Sequence, residues 1–410
     1  MDIEKLHQRV LERLDLTQET EEAAVYEAIE TILLEEQRVH YISVAERVRL
    51  RKKIFYAIQG FDILSELAEN EDITEIMVNG YQKIFIEKEG KLVRTNLAFS
   101  SEERLNAVIS QIVSGVNRRV NESTPIVDAR LPDGSRVNIV LPPVSVDGAL
   151  LTIRRFPKER ITMEQMISWD SITKEAAEFL RQMVCAKYNI FVCGGTGSGK
   201  TTFLNVLSEY IPEDERIVTI EDSAELQIGH IDNLVRLETR AANEQGEHAV
   251  SIRDLIRTAL RMRPDRIIVG EVRGEEALDM LQAMLTGHDG SLSTGHADSA
   301  EDMMLRLETM VLMGCSLPLE AIRRQIALAI DIIVFLGRMQ DKSRKVIEID
   351  EVEGMTAEGI KLKKLFIRDN ELVKINSLWN RQKLQRYGKG VVDTENEISE
   401  RDKTAEGGAE

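Results

Sequence analysis

Cysteine is scarce in this 410-residue sequence: Cys185, Cys193 and Cys315 stand far apart, which excludes a disulfide framework and a paired Cys-x-x-Cys zinc site. A reducing cytoplasm is the expected compartment. Long apolar runs are missing as well, and the charged start Met1-Asp2-Ile3-Glu4-Lys5 lacks the apolar core of a signal peptide. Membrane association is therefore expected only through a partner or a surface contact. Basic residues are outnumbered, 53 Lys and Arg against 70 Asp and Glu, and the resulting net charge of -17 argues against broad capture of nucleic acid or acidic lipid. Aromatic residues make up only 5% and are not interleaved with a basic groove, so no specific nucleic-acid partner is expected. What is present is ordinary globular material, 43% hydrophobic, in a chain too long for one core.

Composition and periodicity divide the chain into four regions. Residues 1–58 are rich in helix formers, with Ala24, Tyr26, Ala28, Ile29, Ile32 and Leu33 at helical spacing. Residues 59–157 read as a mixed α/β domain. Alternating segments 75–78 and 83–87 flank the turn signal Asn79-Gly80, a helix runs over 102–116, and strands follow at 135–140 and 150–154. Residues 158–378 alternate strand and helix, which predicts a parallel sheet with its ligand at the carboxyl ends of the strands. Strands are expected at 189–193, 216–220, 234–237, 266–269, 291–294 and 331–336. Helix 173–186 shows one apolar face through Ala176, Phe179, Leu180, Met183 and Val184. Residues 379–410 read as a disordered acidic tail.

The most specific feature is Gly194-Gly195-Thr196-Gly197-Ser198-Gly199-Lys200-Thr201-Thr202, which satisfies G-x-x-x-x-G-K-[ST] between an apolar strand and a helix. Glycines let backbone N–H groups converge on phosphate oxygens with no Cβ in the way, and the helix N-terminus adds its positive dipole end. Lys200 is placed to reach the terminal phosphates, and the Thr201 hydroxyl to ligate Mg²⁺. The motif predicts binding and hydrolysis of a nucleoside triphosphate, ATP with magnesium.

Hydrolysis also needs a group that orients or deprotonates water. Glu271 closes the apolar strand 266–269 beyond Gly270, which occupies the usual place of a magnesium-holding aspartate. Its bland reading is a salt bridge to Arg273. Glu221-Asp222 closes strand 216–220, where Asp222 could merely cap a helix. The residues leave the base open between Glu271 and Glu221. His288 and His296 flank strand 291–294, and His296 is the better placed to sense the γ-phosphate. A helix from Ser251 opens with the capping box Ser251-x-x-Asp254, and its Arg253, Arg257 and Arg261 form a stripe that is either solvated or serves a subunit contact or a phosphate-reaching role. Arg240, Arg136 and Arg154 are further candidates for compensating phosphate charge.

In this order, the glycine-rich loop, Ile220-Glu221-Asp222-Ser223-Ala224-Glu225-Leu226, Arg263-Pro264-Asp265-Arg266-Ile267-Ile268-Val269-Gly270-Glu271-Val272-Arg273-Gly274 and the segment around His296 resemble the Walker A, Asp box, Walker B and His box of the secretion ATPases. Upstream, Ile73-Thr74-Glu75-Ile76-Met77-Val78-Asn79-Gly80 and Leu131-Pro132-Asp133-Gly134-Ser135-Arg136 are similar to the N-terminal domain of the CpaF/TadA branch, the Tad (Flp) pilus motors. The four-cysteine zinc module of the type II secretion and type IV pilus extension motors is missing. The resemblance implies a RecA-like P-loop NTPase domain behind a mixed α/β domain. It also implies a homohexamer at the inner face of the cytoplasmic membrane, bound to an inner-membrane platform protein and driving pilus assembly or secretion. It makes Glu271 the Walker B glutamate, Glu221 the Asp box acid and His296 the His box histidine, with Arg136, Arg154 and Arg240 facing the nucleotide. A nucleic-acid translocase of the same core is the rival reading, and a regulatory module that switches without sustained turnover is a third.

Overall fold

The structure is a computed structural model that describes residues 3–14, 22–88, 90–115, 120–131, 133–155, 160–240, 242, 248–356 and 359–387. The expected boundary between residues 157 and 158 lies outside the described residues, as does 388–410 of the expected tail. The chain separates into two compact units, 1–159 and 160–410.

The first unit opens with helices α1 (Ile3–Leu11), α2 (Glu22–Gln37), α3 (Val44–Ile58) and α4 (Ile63–Ala68). Val25, Ile29, Ile32 and Leu33 recur one turn apart along α2 and meet Leu50 and Ile54 of α3 in a small core. Ser43 caps α3 by accepting the Glu46 N–H. Strands β1 (Ile73–Asn79), β2 (Ile84–Lys88) and β3 (Lys91–Arg94) follow, then α5 (Glu102–Gly115), then β4 (Ile126–Arg130), β5 (Arg136–Val140) and β6 (Leu150–Arg154). They form one antiparallel sheet in the order β3-β2-β1-β6-β5-β4. Period-2 alternation turns Ile76, Val78, Val137, Ile139, Leu151 and Ile153 into one core, together with Leu105, Val108, Ile109 and Ile112 of α5. The join of β1 to β6 decides which charged residues become neighbours.

The second unit contains α6 (Met163–Ser168), α7 (Lys174–Cys185), β7 (Ile190–Gly194), α8 (Lys200–Ser208), β8 (Ile217–Glu221), β9 (Leu234–Glu238), α9 (Ile252–Ala259), β10 (Arg266–Val269), α10 (Glu276–Leu285), β11 (Leu292–Gly295), α11 (Ala300–Gly314), α12 (Leu319–Ala329), β12 (Ile332–Arg338), β13 (Arg344–Thr356), β14 (Gly359–Arg368), β15 (Leu372–Lys374) and α13 (Gln382–Tyr387). Its sheet runs β15-β14-β13-β12-β7-β11-β10-β8-β9, parallel from β12 to β9 and antiparallel beyond β12. Every residue of β7 is buried because both faces are covered: Ile190 and Val192 join one core, Phe191 and Cys193 the other.

Two features depart from the sequence reading. The sheet does not end at β12, since β13 to β15 extend it by an antiparallel sheet edge. Lys361, Lys363, Lys364, Glu348, Asp350 and Glu351 interrupt the apolar alternation there, although Glu348, Asp350 and Glu351 are buried. The chain is also held beyond residue 379, where disorder was expected. The Glu351 carboxylate accepts the N–H groups of Trp379 and Asn380 at 2.7 and 2.6 Å, and Lys383 lies 2.7 Å from Asp331 and 2.8 Å from Asp289.

Candidate functional site

At its carboxyl end β7 meets a backbone it can pass only as glycine. A Cβ on Gly194 would overlap the Leu336 carbonyl of β12 and the Ser198 hydroxyl. The loop then turns through Gly197 and Gly199, both at positive φ, and Gly199 stands at the N-cap of α8. Ser198 is buried, and its Oγ has no hydrogen-bond partner among the described residues. This is a cradle of the kind that receives phosphate oxygens. Thr201 follows Lys200 in the first turn of α8.

Lys200 is buried and curls back over the loop, where Nζ donates to Gly194 O at 3.0 Å and Gly195 O at 3.1 Å. It also stands 3.2 Å from His296 Nδ1. An ammonium can only donate, so Nδ1 accepts and the ring proton sits on Nε2. That nitrogen stands 2.8 Å from Glu271 Oε1, a close contact whose angle falls short of a hydrogen bond. The other carboxylate oxygen of Glu271 takes Arg273 Nη2 at 2.6 Å, and Arg273 Nη1 lies 3.6 Å from Asp222. A continuous line Lys200, His296, Glu271, Arg273, Asp222 thus crosses the carboxyl ends of β7, β11, β10 and β8. Burial pushes the Lys200 pKa down against the pull of Glu271. Burial, followed by the Lys200 charge, pushes that of His296 down, which favours a neutral ring.

Glu221 ends β8 beside this line. Its Oε2 accepts the N–H groups of Glu225 and Leu226 at 2.7 and 2.9 Å, while Oε1 has no hydrogen-bond partner among the described residues. Burial raises its pKa to about 7 against the effect of those two bonds. A cavity of about 450 Å³ opens beside the loop, lined in part by Gly195, Thr196, His296, Asp302 and Arg306. No group of three or more His, Cys, Asp or Glu residues able to hold a metal occurs among the described residues.

The fold brings Lys200, Glu271 and His296 together, with Glu221 adjoining. Glu271 does form the expected salt bridge to Arg273, but the same carboxylate also faces His296. No helix begins at Asp222, so its capping role falls away. His288 Nδ1 contacts Ala283 O at 3.1 Å, a local structural tie. Of the arginine stripe, Arg253 is half-buried and Arg257 and Arg261 stay exposed, but Arg253 and Arg257 both bind the buried Asp279, at 2.8 and 2.9 Å. Arg240 extends from the outer strand β9, its Nε donating to His248 O at 2.9 Å, with three strands between β9 and β7. Arg136 and Arg154 belong to the first unit and face each other across β5 and β6. Sequence reasoning missed Arg344, whose Nε donates to Gly197 O at 3.0 Å. No local pattern marks it, because the contact spans 147 positions.

Residues 58–366 match the family described as type II/IV secretion system protein. An uncharacterized protein of Methanocaldococcus jannaschii is 44% identical over 250 residues, 59% of this chain, and the chain spans only 34% of that relative's length. The type IV secretion system protein PtlH of Bordetella pertussis is 36% identical over 314 residues, covering 70% of this chain and 92% of PtlH. The X-ray structure of the Legionella pneumophila ATPase DotB shares the fold, with 24% identity, a TM-score of 0.50 and coverage of 69% of this chain and 78% of that one.

Proposed function

Because this chain belongs to the type II/IV secretion system protein family, we propose that it is an ATP-hydrolysing motor for a secretion or pilus apparatus, of the Tad/Flp type. The observation that carries the reading is the line from Lys200 through His296 to Glu271 at the mouth of the phosphate loop. It joins the group that meets terminal phosphate charge to the group that handles water, through a ring that responds to both.

In this reading the loop amides and the α8 N-terminus bind the polyphosphate of ATP, and Lys200 turns from its loop carbonyls to the β- and γ-phosphates. Thr201 would hold Mg²⁺, which supplies charge neutralisation on the phosphate oxygens when bound. Glu271 orients water in line with the γ-phosphorus and takes its proton as the new P–O bond forms and the bond to the β,γ-bridging oxygen breaks. Glu221 stabilises the site from the space beside Gly270. His296 registers loss of the γ-phosphate through Lys200 and Glu271. Arg136, Arg154 and Arg240 are the arginines that compensate phosphate charge in a six-fold ring. The ring works at the cytoplasmic face of the inner membrane, attached to a membrane platform protein. No helix among the described residues is long and apolar enough to cross a bilayer, which fits attachment through that partner.

The test is ATP turnover and oligomeric mass of the wild type and Lys200→Ala, with and without a cytoplasmic platform fragment or single-stranded DNA. Expected are a six-fold assembly, turnover abolished by Lys200→Ala, stimulation by the fragment and none by DNA. Stimulation by DNA alone would move the function to nucleic-acid translocation, and a strictly monomeric active enzyme would overturn the motor.

A further inference from the structure

β12 and β13 form a hairpin in which Arg338 pairs in register with Arg344. Two like charges directly opposed across an antiparallel pair cost stability unless something else holds them. Both side chains lie against the phosphate loop. Arg344 Nε donates to Gly197 O at 3.0 Å. Its aliphatic stem covers the open face of Gly199, where an added Cβ would stand 3.3 Å from Arg344 Cδ. Arg338 Nη1 lies 3.7 Å from where a Gly197 Cβ would be.

A peptide unit carries its C=O and N–H on opposite sides. Holding the Gly197 carbonyl toward the hairpin therefore aims the Ser198 N–H the other way, across the loop, where it reaches Gly195 O at 3.3 Å. That N–H is one of the donors a bound phosphate would use. Glycines at 194, 195, 197 and 199 leave the loop few restraints of its own, so an external tie has entropy to remove before ligand arrives.

We propose that Arg344 is a positioning residue for nucleotide: from the antiparallel sheet edge it fixes the Gly197–Ser198 peptide and so pre-forms the amide cradle for polyphosphate. The proposal rests on the nucleotide-binding reading of the loop.

A fluorescent ATP analogue titrated into the wild type, Lys200→Ala, Arg344→Met, Arg344→Ala and Arg344→Lys tests it, alongside steady-state ATP turnover and nucleotide-free thermal melting. Arg344→Met keeps the stem over Gly199 and loses the donor. It is expected to weaken binding and raise KM about tenfold, with kcat within about twofold and an unchanged melting midpoint. Arg344→Ala should behave similarly or worse, and Arg344→Lys should recover most of the loss. If the wild type binds the analogue, Lys200→Ala does not, and Arg344→Met binds as tightly as the wild type, the positioning role is overturned while nucleotide binding stands. Absence of binding by the wild type would instead remove the nucleotide reading. A loss of kcat and melting temperature together in both Arg344→Met and Arg344→Lys would make Arg344 a general structural residue and overturn the proposal.

Discussion

Glu221 occupies the space that Gly270 leaves by having no side chain: a Cβ on Gly270 would stand 2.9 Å from Glu221 Cγ. The position where an aspartate would hold magnesium in related loops is thus given up to a carboxylate arriving from the neighbouring strand. Gly270 donates its N–H to Ile220 O at 2.8 Å, so the two strand ends are locked together. Gly270→Ala must displace the Glu221 stem. We expect kcat for ATP to fall about 10- to 100-fold, for a folding cost of about 1–3 kcal/mol. Steady-state turnover and urea denaturation of the same preparation check both numbers.

The Glu221 pKa gives turnover a pH signature. Burial lifts it to about 7, so at pH 6 the group is largely protonated and at pH 8 ionised. Turnover should rise across that range with an inflection near 7, and Glu221→Gln should remove the inflection. Stability runs the other way. The folded pKa lies above the ordinary value of 4.5, so the folded state holds a proton that the unfolded chain has released. The stabilisation is complete below pH 4.5 and declines as pH rises to about 7, by on the order of 3 kcal/mol. Urea denaturation between pH 5 and 8 should show that decline in the wild type and a flatter profile in Glu221→Gln.

Arg136 has like charges on both sides, with Arg154 opposite it on β6 and Arg130 opposite it on β4. The Asp128 carboxylate compensates weakly from 3.9 Å. A sheet that tolerates this arrangement is retaining it at a cost. Arg136→Thr should stabilise the folded chain by about 0.5 kcal/mol and lower ATP turnover. A thermal melt paired with a turnover assay reads both, and a variant that is more stable and equally active would deny Arg136 any part in the reaction.

Arg266 is a strand residue of the Walker B-like segment with no solvent exposure. Its guanidinium is held by Glu215 at 2.6 and 2.9 Å and by Val184 O at 2.7 Å. Gly290 lines the pocket around it, and a Cβ there would press on the guanidinium. Arg266→Ala leaves Glu215 buried and poorly compensated, so a loss of about 3–5 kcal/mol is expected. Gly290→Ala should destabilise in the same direction. Chemical denaturation measures both, and the fraction that stays folded should bind nucleotide normally, since neither residue touches the loop.

Much of the architecture was legible where one segment carries its own signal. The hairpin about Asn79-Gly80, the apolar stripe of α7 and the capping box at Ser251 appear as read, the last with both of its hydrogen bonds. Strands β13 and β14 were not legible. Glu348, Asp350 and Glu351 of β13 break the apolar alternation that marks a strand, and their burial is met only in the folded chain, where Lys364 pairs with Glu348 and the N–H groups of Trp379 and Asn380 meet Glu351. The tie of Arg253 and Arg257 to Asp279 was hidden in the sequence because Asp279 comes from another helix.

The sequence alone determined the phosphate loop. Its requirements, glycine freedom, a lysine at a fixed offset and a helix start, are all met within Gly194 to Thr201, so no distant residue is needed to recognise them. Tertiary structure decided the rest of the site. That His296 meets Lys200 across 96 positions, that Glu221 fills the space over Gly270, and that Arg344 holds Gly197 all follow from strand order. Strand order is fixed by the burial of whole sheet faces, and that is a property of no single segment.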